Sequence, residues 1–389
     1  MLIVRLGAMG DILHALPAVT ALRAAHPEWF LGWAVEPQWR ALLCADGVTA
    51  PLARSEAMPL VDRIHLVPAK QWARHPFRPA TLQAILAARR DLREAGYDVA
   101  VDLQGAVRSA IVANWARPAR LLGEEEPRER MARLWFTERV ATCGTHVIEQ
   151  AAEVAGCVAG PSQGELSLGL PSLPVDAAAE AWCLTQAPVA RFVLLSPGAG
   201  WGAKRWPVQR YAAVARALLA EGLAVVINAS PAERQLGEQV SAQAGAGALL
   251  LVPTLSQLVA LTRRAVLAIA GDTGPLHLAA ALGRPTVGIF GPTDAARNGP
   301  FHGNFRVLRH PESRRDHSRR ADPEAGLLTI TPEEVLEAAR ALLQAMPPVY
   351  ESRAAAGDFS YAQARANGLP AVSAAHAKTP PAAQKTGAR

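Results

Sequence analysis

The sequence predicts an α/β protein made of two doubly wound parallel sheets that face a cleft. Its 389 residues are enough for about two domains, each with its own core. Apolar, strand-like runs alternate with helical stretches in two separate blocks, and a Pro-rich segment lies between the blocks. Strand, helix and strand in this order is typical of parallel βαβ units, so each block is expected to form one sheet.

The first block begins with the strand LIVRL, and a helix is expected from Asp11 to about Ala25. The strands LGWAVE and RIHLVP follow, and a helix from about Ala80 to Ala95 leads into the strand YDVAVDLQG. We expect residues 1–170 to form the first Rossmann-like domain. The Pro-rich residues 171–188 are expected to connect it to the second domain, with a short helix inside.

The second block, residues 189–330, repeats the pattern from the strand RFVLLS to the strand PTVGIF. Between them we expect the strands AVVINAS, ALLLVP and AVLAIAG, and helices at Pro207–Glu221, PAERQLGEQVSAQ, LSQLVALTRR and PLHLAAALG. A helix is predicted over residues 331–346, because Thr331 can cap it and Pro and Glu follow in its first turn. Residues 347–389 are rich in Ala and Pro and lack periodicity, so we expect a disordered tail.

Composition and charge narrow the classes of function. Half of the residues are hydrophobic and 19% are charged, as in globular proteins, and no apolar run approaches the roughly 20 residues that span a bilayer. The first residues lack the order of a signal peptide, so we expect a cytoplasmic protein. Four scattered cysteines argue for reduced thiols and against a zinc site. A net charge of +6 fits an acidic substrate or an anionic membrane surface and does not indicate nucleic-acid binding.

The stretch RLGAMGDILHALPA places Asp11 after a turn flanked by Gly7 and Gly10, where a helix should begin. Asp is a favoured helix cap, which accounts for it structurally. The alternative is a catalytic carboxylate at the mouth of the cleft, since ligands of doubly wound sheets bind beyond the carboxyl ends of the strands.

The stretch AIAGDTGPLHLAAALG joins an apolar strand to a helix through a Gly-bounded turn. The unpaired amides of the first helical turn and the helix dipole make a seat for a pyrophosphate, and Asp272 suits sugar hydroxyls. An ordinary capped turn would carry the same residues, and His277 could be a satisfied helix residue.

Two further residues follow strands of the second block. Lys204, in SPGAGWGAKRWP, could neutralise a leaving phosphate or be a solvated surface lysine. Glu233, in INASPAERQL, could hold ribose hydroxyls or be a favourable charge in a first helical turn. The G-x-G-x-x-G spacing is absent after both first strands, which disfavours a nicotinamide-dependent dehydrogenase.

Basic side chains are concentrated in the first block and could receive an anionic acceptor. A solvated charged face is the alternative explanation for the cluster. The residues concerned are Lys70, Arg74, Arg78, Arg108 and Arg120.

Four stretches occur in the order that is typical of one family: RLGAMGDILHALPAVTALR, YDVAVDLQGAVRSA, PGAGWGAKRWP and GDTGPLHLAAALGRPTVGIFGPTD. The chain from Met1 to about Ala345 resembles the bacterial heptosyltransferases of glycosyltransferase family 9. PAKQWAR and EPRERMARLWFTERV are similar to segments of the type I enzymes, and SRRDHSRRADPEAG replaces the cysteine-rich stretch of the type II enzymes.

The resemblance implies a GT-B fold, with an acceptor-binding first domain and a nucleotide-sugar-binding second domain. It implies ADP-heptose as donor, Kdo-lipid A as acceptor, inversion at the anomeric carbon, no metal and no cofactor. Asp11 is similar to the proposed general base and Lys204 to the phosphate-contacting lysine. The donor-binding set that we expect is Lys204, Glu233, Leu255, Asp272, Thr273, Gly274, Pro275 and His277.

Several alternatives stay open at this point. The acceptor could be another core sugar, as for a type II enzyme, or the chain could bind a nucleotide sugar without catalysis. Because the acceptor is a lipid, peripheral association with the cytoplasmic face of the inner membrane is also possible, helped by the basic first domain.

Overall fold

The protein contains two parallel six-stranded sheets, each covered by helices. The computed structural model describes residues 1–48, 54–159, 166–188, 191–315 and 321–345. The expected disordered tail, residues 347–389, lies outside the described residues, as does part of the basic loop between Arg309 and Arg320.

Within the described residues, the first half contains six strands and five helices. The strands are β1 Leu2–Val4, β2 Gly32–Val35, β3 Arg63–Leu66, β4 Val99–Asp102, β5 Arg120–Glu124 and β6 Glu138–Val140. The helices are α1 Met9–Ala25, α2 Ala69–Arg74, α3 Pro79–Glu94, α4 Val107–Trp115 and α5 Val147–Gly156. Short 3₁₀ helices at Pro37–Leu42, Arg130–Leu134 and Cys157–Ala159 complete this half.

The second half follows α6, Ala177–Gln186, which lies in the Pro-rich connection. Its strands are β7 Phe192–Ser196, β8 Ala224–Asn228, β9 Ala248–Leu251, β10 Leu267–Gly271, β11 Thr286–Ile289 and β12 Phe305–Leu308. Its helices are α7 Val208–Ala220, α8 Arg234–Ala244, α9 Leu255–Arg264, α10 Gly274–Ala281, α11 Ala295–Asn298 and α12 Pro332–Gln344. Short 3₁₀ helices lie at Gly202–Lys204, Pro231–Glu233 and Leu327–Thr329.

Both sheets have the same doubly wound topology. The strand order is β3-β2-β1-β4-β5-β6 in the first sheet and β12-β11-β10-β7-β8-β9 in the second. Each order reverses direction once, between β1 and β4 in one sheet and between β7 and β10 in the other. At such a switch point the loops diverge and leave a crevice at the carboxyl edge, where ligands bind.

The central strands are mainly apolar because helices cover both faces of each sheet. Every residue of β1 and β7 is buried. One hydrophobic cluster includes Ile3 and Val101 of the first sheet together with Leu194 and Val226 of the second. The two halves are therefore packed against each other through shared apolar contacts.

The connection and the C-terminal helix are fixed by polar contacts. In α6, Glu180 accepts a hydrogen bond from Arg263 of α9 at 3.1 Å and pairs with Arg264. Helix α12 begins after Thr331, whose hydroxyl accepts from the amide of Glu334 at 3.3 Å, as its sequence predicted. No helix within the described residues is long and apolar enough to cross a membrane.

The element pattern differs from the sequence prediction in two ways. Strands β5, β6 and β12 and helices α2, α4, α5 and α11 were not predicted. The three strands lie at or next to a sheet edge, and each contains a charged residue. Helix α1 begins at Met9, two residues earlier than predicted, and Ala8 is its cap.

Four histidines lie where the two halves meet. The Nε2 of His14 on α1 lies 3.2 Å from the Nδ1 of His277 on α10, and the ring of His14 makes an edge contact with His146. The Nε2 of His146 donates to the carbonyl of Gly299 at 3.0 Å, and His302 lies close by. Burial lowers the pKa of His14, as does the nearby His277, and burial likewise lowers the pKa of His146. Burial lowers the pKa of His302 to about 4, with a smaller effect from His146.

The lowered pKa values of His14, His146 and His302 predict that the protein loses stability as pH falls from about 7.5 to about 5. A histidine in an unfolded chain has a pKa of about 6.5, so below that pH the unfolded chain binds protons that the folded protein excludes. His14→Gln should flatten the pH dependence of the urea unfolding midpoint, whereas His75→Gln, at an exposed position, should not. An unchanged slope in His14→Gln would show that the buried imidazole is not responsible.

Candidate active site

The two switch points face each other across the boundary between the halves. Helix α1 follows β1 and helix α10 follows β10, and the starts of the two helices are in contact. A Cβ added at Gly10 would lie 2.9 Å from the Cδ2 of His277, and one added at Gly274 would lie 2.4 Å from the Sδ of Met9. A side chain at either position would have to displace this neighbour, so the two glycines allow a close approach that brings residues of both halves together.

Asp11 lies at the boundary, with 39% of its side chain exposed. One carboxylate oxygen accepts a hydrogen bond from the amide of Ala8 at 3.0 Å, and the other lies 3.2 Å from a guanidinium nitrogen of Arg5. Asp11 is thus the third residue of α1 and not its cap residue, which is Ala8. The side chain of Asp11 turns back along the helix and accepts the hydrogen bond from the amide of Ala8. One oxygen holds the helix start while the carboxylate faces the gap.

Lys204, Asp272 and His277 form a connected group on the second half. The Nζ of Lys204 lies 2.5 Å from one oxygen of Asp272, and the Nε2 of His277 lies 3.0 Å from the other. Nζ also lies 4.3 Å from the centre of the Trp201 ring. Lys204 and Asp272 are 12% and 7% exposed, so the pair is held away from bulk water.

Asp272 is held in its ionised form. Burial would raise its pKa, but the hydrogen bond and charge of His277, together with those of Lys204, lower it well below the ordinary value. A fixed carboxylate then holds a lysine ammonium beside the start of α10. A cation beside the unpaired amides of a helix start is an arrangement that can hold a diphosphate.

The remaining expected donor residues lie along the same edge of the second sheet. Thr273 precedes α10, and Gly274 and Pro275 begin it. Glu233 follows β8, where Ser230 Oγ donates to its carboxylate at 2.6 Å, and it faces the loop after β7, since a Cβ at Gly198 would lie 2.3 Å from Glu233 Oε1. Leu255 begins α9, just after β9. The order β10-β7-β8-β9 therefore arranges these residues in a row.

A cavity of about 260 Å³ opens beside Asp11 between the two halves. Its lining includes cations from both, Arg5 and Arg128 from the first and Arg297 from the second. At its base, Asp102 accepts hydrogen bonds from the amides of Gln104 at 2.8 Å and Gly105 at 3.2 Å. Burial raises the pKa of Asp102 to about 6, against the opposing effect of these hydrogen bonds.

The basic residues expected to bind an acceptor divide into two groups. Lys70, Arg74, Arg78 and Arg108 follow the carboxyl ends of β3 and β4, on the same edge of the sheet as Asp11, and all four are exposed. Arg120 is the first residue of β5 and lies at the opposite edge. Its guanidinium is bound to Glu138 at 2.5 Å and to the carbonyl of Val158 at 3.1 Å. The expectation for Arg120 is therefore corrected: it holds β5 to β6 and does not face the cleft.

Several polar residues of this region were not singled out from the sequence, among them Arg5, His14, Asp102, Gln104, Arg128 and Arg297. Gln104 is 6% exposed and lines the cavity, and its Nε2 has no hydrogen-bond partner among the described residues. A signal existed for Asp102 and Gln104, because Asp102 ends an apolar strand at a switch point and Gln104 follows that strand. Arg128 carried no such signal, since only the return of its loop to Gly105 brings it to the cavity.

Cys44 and Cys183 are buried, Cys143 and Cys157 are exposed, and none of the four forms a disulfide. Within the described part of the chain, no group of three His, Cys, Asp or Glu side chains is placed to hold a metal ion.

Comparisons with known proteins identify the family. The model of glycosyltransferase family 9 (heptosyltransferase) matches residues 85–327, more than half of the chain. Lipopolysaccharide heptosyltransferase 1 of Pseudomonas aeruginosa is 26% identical over 77% of this chain and 81% of its own. The protein of the same name from Escherichia coli K12 is 25% identical over 80% of this chain and 93% of its own. Lipopolysaccharide heptosyltransferase 2 of E. coli K12 is 35% identical, over 38% of this chain and 45% of its own.

Solved structures show the same fold. E. coli heptosyltransferase WaaC with ADP superposes with a TM-score of 0.71 at 24% identity, covering 88% of this chain and 99% of its own. WaaC with ADP-2-deoxy-2-fluoro heptose gives 0.70 at 24% identity, with 87% and 98% covered. The chain therefore has the GT-B fold and belongs to glycosyltransferase family 9, the heptosyltransferases.

Proposed function

We propose that the protein transfers heptose from ADP-heptose to a Kdo residue of Kdo-lipid A, with inversion at the anomeric carbon and without a metal. The proposed site is the gap between the switch points, with the donor on the second half and the acceptor on the first. The observation that carries the proposal is the contact between the starts of α1 and α10, which brings Asp11 and the buried Lys204–Asp272 pair to the same boundary. The reaction would take place at the cytoplasmic face of the inner membrane, where a lipid acceptor is accessible.

The row of residues on the second sheet supports the donor's orientation. Asp272 and Leu255 follow the outer two of four neighbouring strands, which are three strand spacings or about 14 Å apart. This length fits a nucleotide sugar laid along the edge. Glu233 would hold the ribose hydroxyls and Leu255 would contact the base. The diphosphate would lie between Lys204 and the amides of Thr273 and Gly274.

The chemistry follows from where charge develops. An inverting transfer is a single displacement in which the ADP oxygen leaves as the acceptor hydroxyl attacks the anomeric carbon from the opposite side. The β-phosphate gains negative charge, which Lys204 and the start of α10 stabilise. The sugar would rest near Asp272 and His277, so that its reacting carbon faces the first half.

The acceptor hydroxyl must lose its proton as it attacks. Asp11 is the exposed carboxylate facing the gap, and it would accept this proton as general base. The Kdo carboxylate would enter the cavity beside Asp11, where Arg5, Arg128 and Arg297 supply positive charge. Lys70, Arg74, Arg78 and Arg108 lie on the same edge and would bind the anionic groups of the lipid.

A type II acceptor, a heptose already on the core, is the second candidate. The higher local identity to heptosyltransferase 2 favours it, whereas the longer coverage by heptosyltransferase 1 favours Kdo. Product mass after incubation with ADP-heptose and either Kdo-lipid A or its monoheptosylated form distinguishes the two. An inability to transfer to either acceptor would support the third possibility, a nucleotide-sugar-binding protein without activity.

Asp11→Asn should lower kcat by about 10²–10⁴-fold, because the amide keeps the hydrogen bond to Ala8 but cannot accept the proton. The donor's Kd should change little, since Asp11 lies across the gap from the donor. Asp98→Asn, at the opposite edge of the sheet, is the matched control and should retain full turnover. Near-normal turnover in Asp11→Asn would remove Asp11 from the mechanism.

Lys204→Met should weaken ADP binding and lower kcat by about 10²-fold, because the leaving phosphate loses its buried cation. Calorimetry with ADP measures binding apart from chemistry, and Arg306→Met, at an exposed position on β12, is the control. Excess EDTA should leave the wild-type rate unchanged. Unaltered ADP affinity and rate in Lys204→Met, or a rate abolished by EDTA, would contradict the proposed charge stabilisation.

A further inference from the structure

We propose that one face of the first half, formed by α2, α3, α4 and the 3₁₀ helix Arg130–Leu134, docks on an anionic lipid bilayer. We call it the basic apolar face. It is defined by the apolar residues Phe77, Leu82, Leu86, Met131 and Leu134 and by the cations Lys70, Arg74, Arg78, Arg90 and Arg130. The face itself is independent of the reaction, but its role in presenting a lipid acceptor depends on the proposed function.

Large apolar side chains are exposed on this face beyond what a core requires. Phe77 is 89% exposed, Leu134 69%, and Leu86 and Met131 61% each. Among the described residues, the other large apolar side chain exposed to this degree is Leu184, at 64% on α6. Such residues usually occur singly on a protein surface, so four on one face indicate an interaction surface.

Helix α3 shows why these residues are not part of the core. Over its sixteen residues, Leu92 near its end is the buried one, packed in the cluster beneath α4. Leu82 and Leu86 are one turn apart and point away from the sheet, with Arg90 one turn further. The first three turns of α3 therefore present an apolar strip to solvent.

The 3₁₀ helix Arg130–Leu134 repeats this arrangement on the other side of α4. Ala132 is buried in the same cluster as Leu92, while Met131 and Leu134 on either side of it are exposed. Both segments thus lie on one face of the sheet. Trp72 of α2 contacts Trp115 of α4, with ring centres 6.2 Å apart, and closes the surface between them.

The charge of this face identifies an anionic partner. Between Ala69 and Arg90 there are five Lys and Arg residues and no Asp or Glu. Exposed apolar side chains beside cations are characteristic of surfaces that lie in the headgroup region of anionic membranes. A second copy of the chain would place cations against cations, so self-association through this face is disfavoured.

The position of the face relative to the site also favours a bilayer. Helix α2 begins after the carboxyl end of β3, the same edge of the sheet that carries Asp11. The amide of Lys70 donates to Glu36 Oε1 at 3.3 Å, which ties α2 to the loop after β2. Phe77 and the start of α3 lie at this edge, so a membrane there would bring lipid headgroups close to the cleft.

Vesicle flotation without donor or acceptor tests the docking surface directly. Wild-type protein should float with phosphatidylethanolamine–phosphatidylglycerol vesicles, bind phosphatidylcholine vesicles far less, and dissociate at high salt. Phe77→Ser/Leu86→Ser should bind the anionic vesicles about tenfold more weakly, because both side chains would otherwise enter the bilayer. Leu184→Ser, equally exposed but on α6, is the matched control and should bind as the wild type does. Both residues of the double variant are exposed, so its melting midpoint and ADP affinity should be unchanged.

Transfer rates measured with two forms of the acceptor test the docking surface separately from the proposed function. If both hold, Phe77→Ser/Leu86→Ser loses rate with acceptor embedded in vesicles and keeps it with deacylated acceptor in solution. Flotation that depends on Phe77 and Leu86 in a protein with no transferase activity would support the surface and contradict the function. Three results would overturn the surface: no flotation of wild type, equal flotation of the variant, or a wild-type dimer that the variant converts to monomer.

Discussion

The close approach of two helix starts is the constraint on which the site depends. Helix α1 of the first half and helix α10 of the second meet at Gly10 and Gly274, where a Cβ would collide with His277 or Met9. Each helix follows a strand that borders the switch point of its sheet, β1 for α1 and β10 for α10. The contact between the two helices therefore aligns the two crevices. Without it, Asp11 and the Lys204–Asp272 pair would belong to two separate surfaces.

The same contact explains the buried polar groups nearby. Burying a lysine and an aspartate costs free energy that their attraction repays only with good geometry and further hydrogen bonds. Asp272 has both, since His277 binds its second oxygen and His14 of the other half lies against His277. The lysine is thereby oriented before any substrate arrives, so charge in a transition state would be stabilised with little rearrangement.

Much of this architecture was predictable because it follows local rules. Alternating apolar strands and helices indicated two doubly wound blocks, and residues after strand ends indicated where the site should lie. The glycine turn indicated Asp11 as a candidate site residue. It did not predict that Asp11 is the third residue of the helix, because the helix start depends on which amide the carboxylate binds. The domain boundaries and the roles of the individual site residues stay predictions.

Contacts between residues that are distant along the chain could not be predicted from the sequence. Arg120 belongs to a dense basic segment, but only the register of β5 with β6 shows that Glu138 holds it at the far edge. His14 lies on an apolar helix like any core residue, and its partner is 263 positions away. Arg128 reaches the cavity through a loop that returns to Gly105, and no local pattern encodes that return.

The most direct test is a crystal structure with an unreactive ADP-heptose analogue, measuring where the anomeric carbon lies relative to Asp11. We predict that the diphosphate contacts Lys204 and the start of α10, and that the anomeric carbon faces the Asp11 carboxylate with room for one hydroxyl between them. A donor bound along the first sheet, or a sugar turned away from Asp11, would contradict this account.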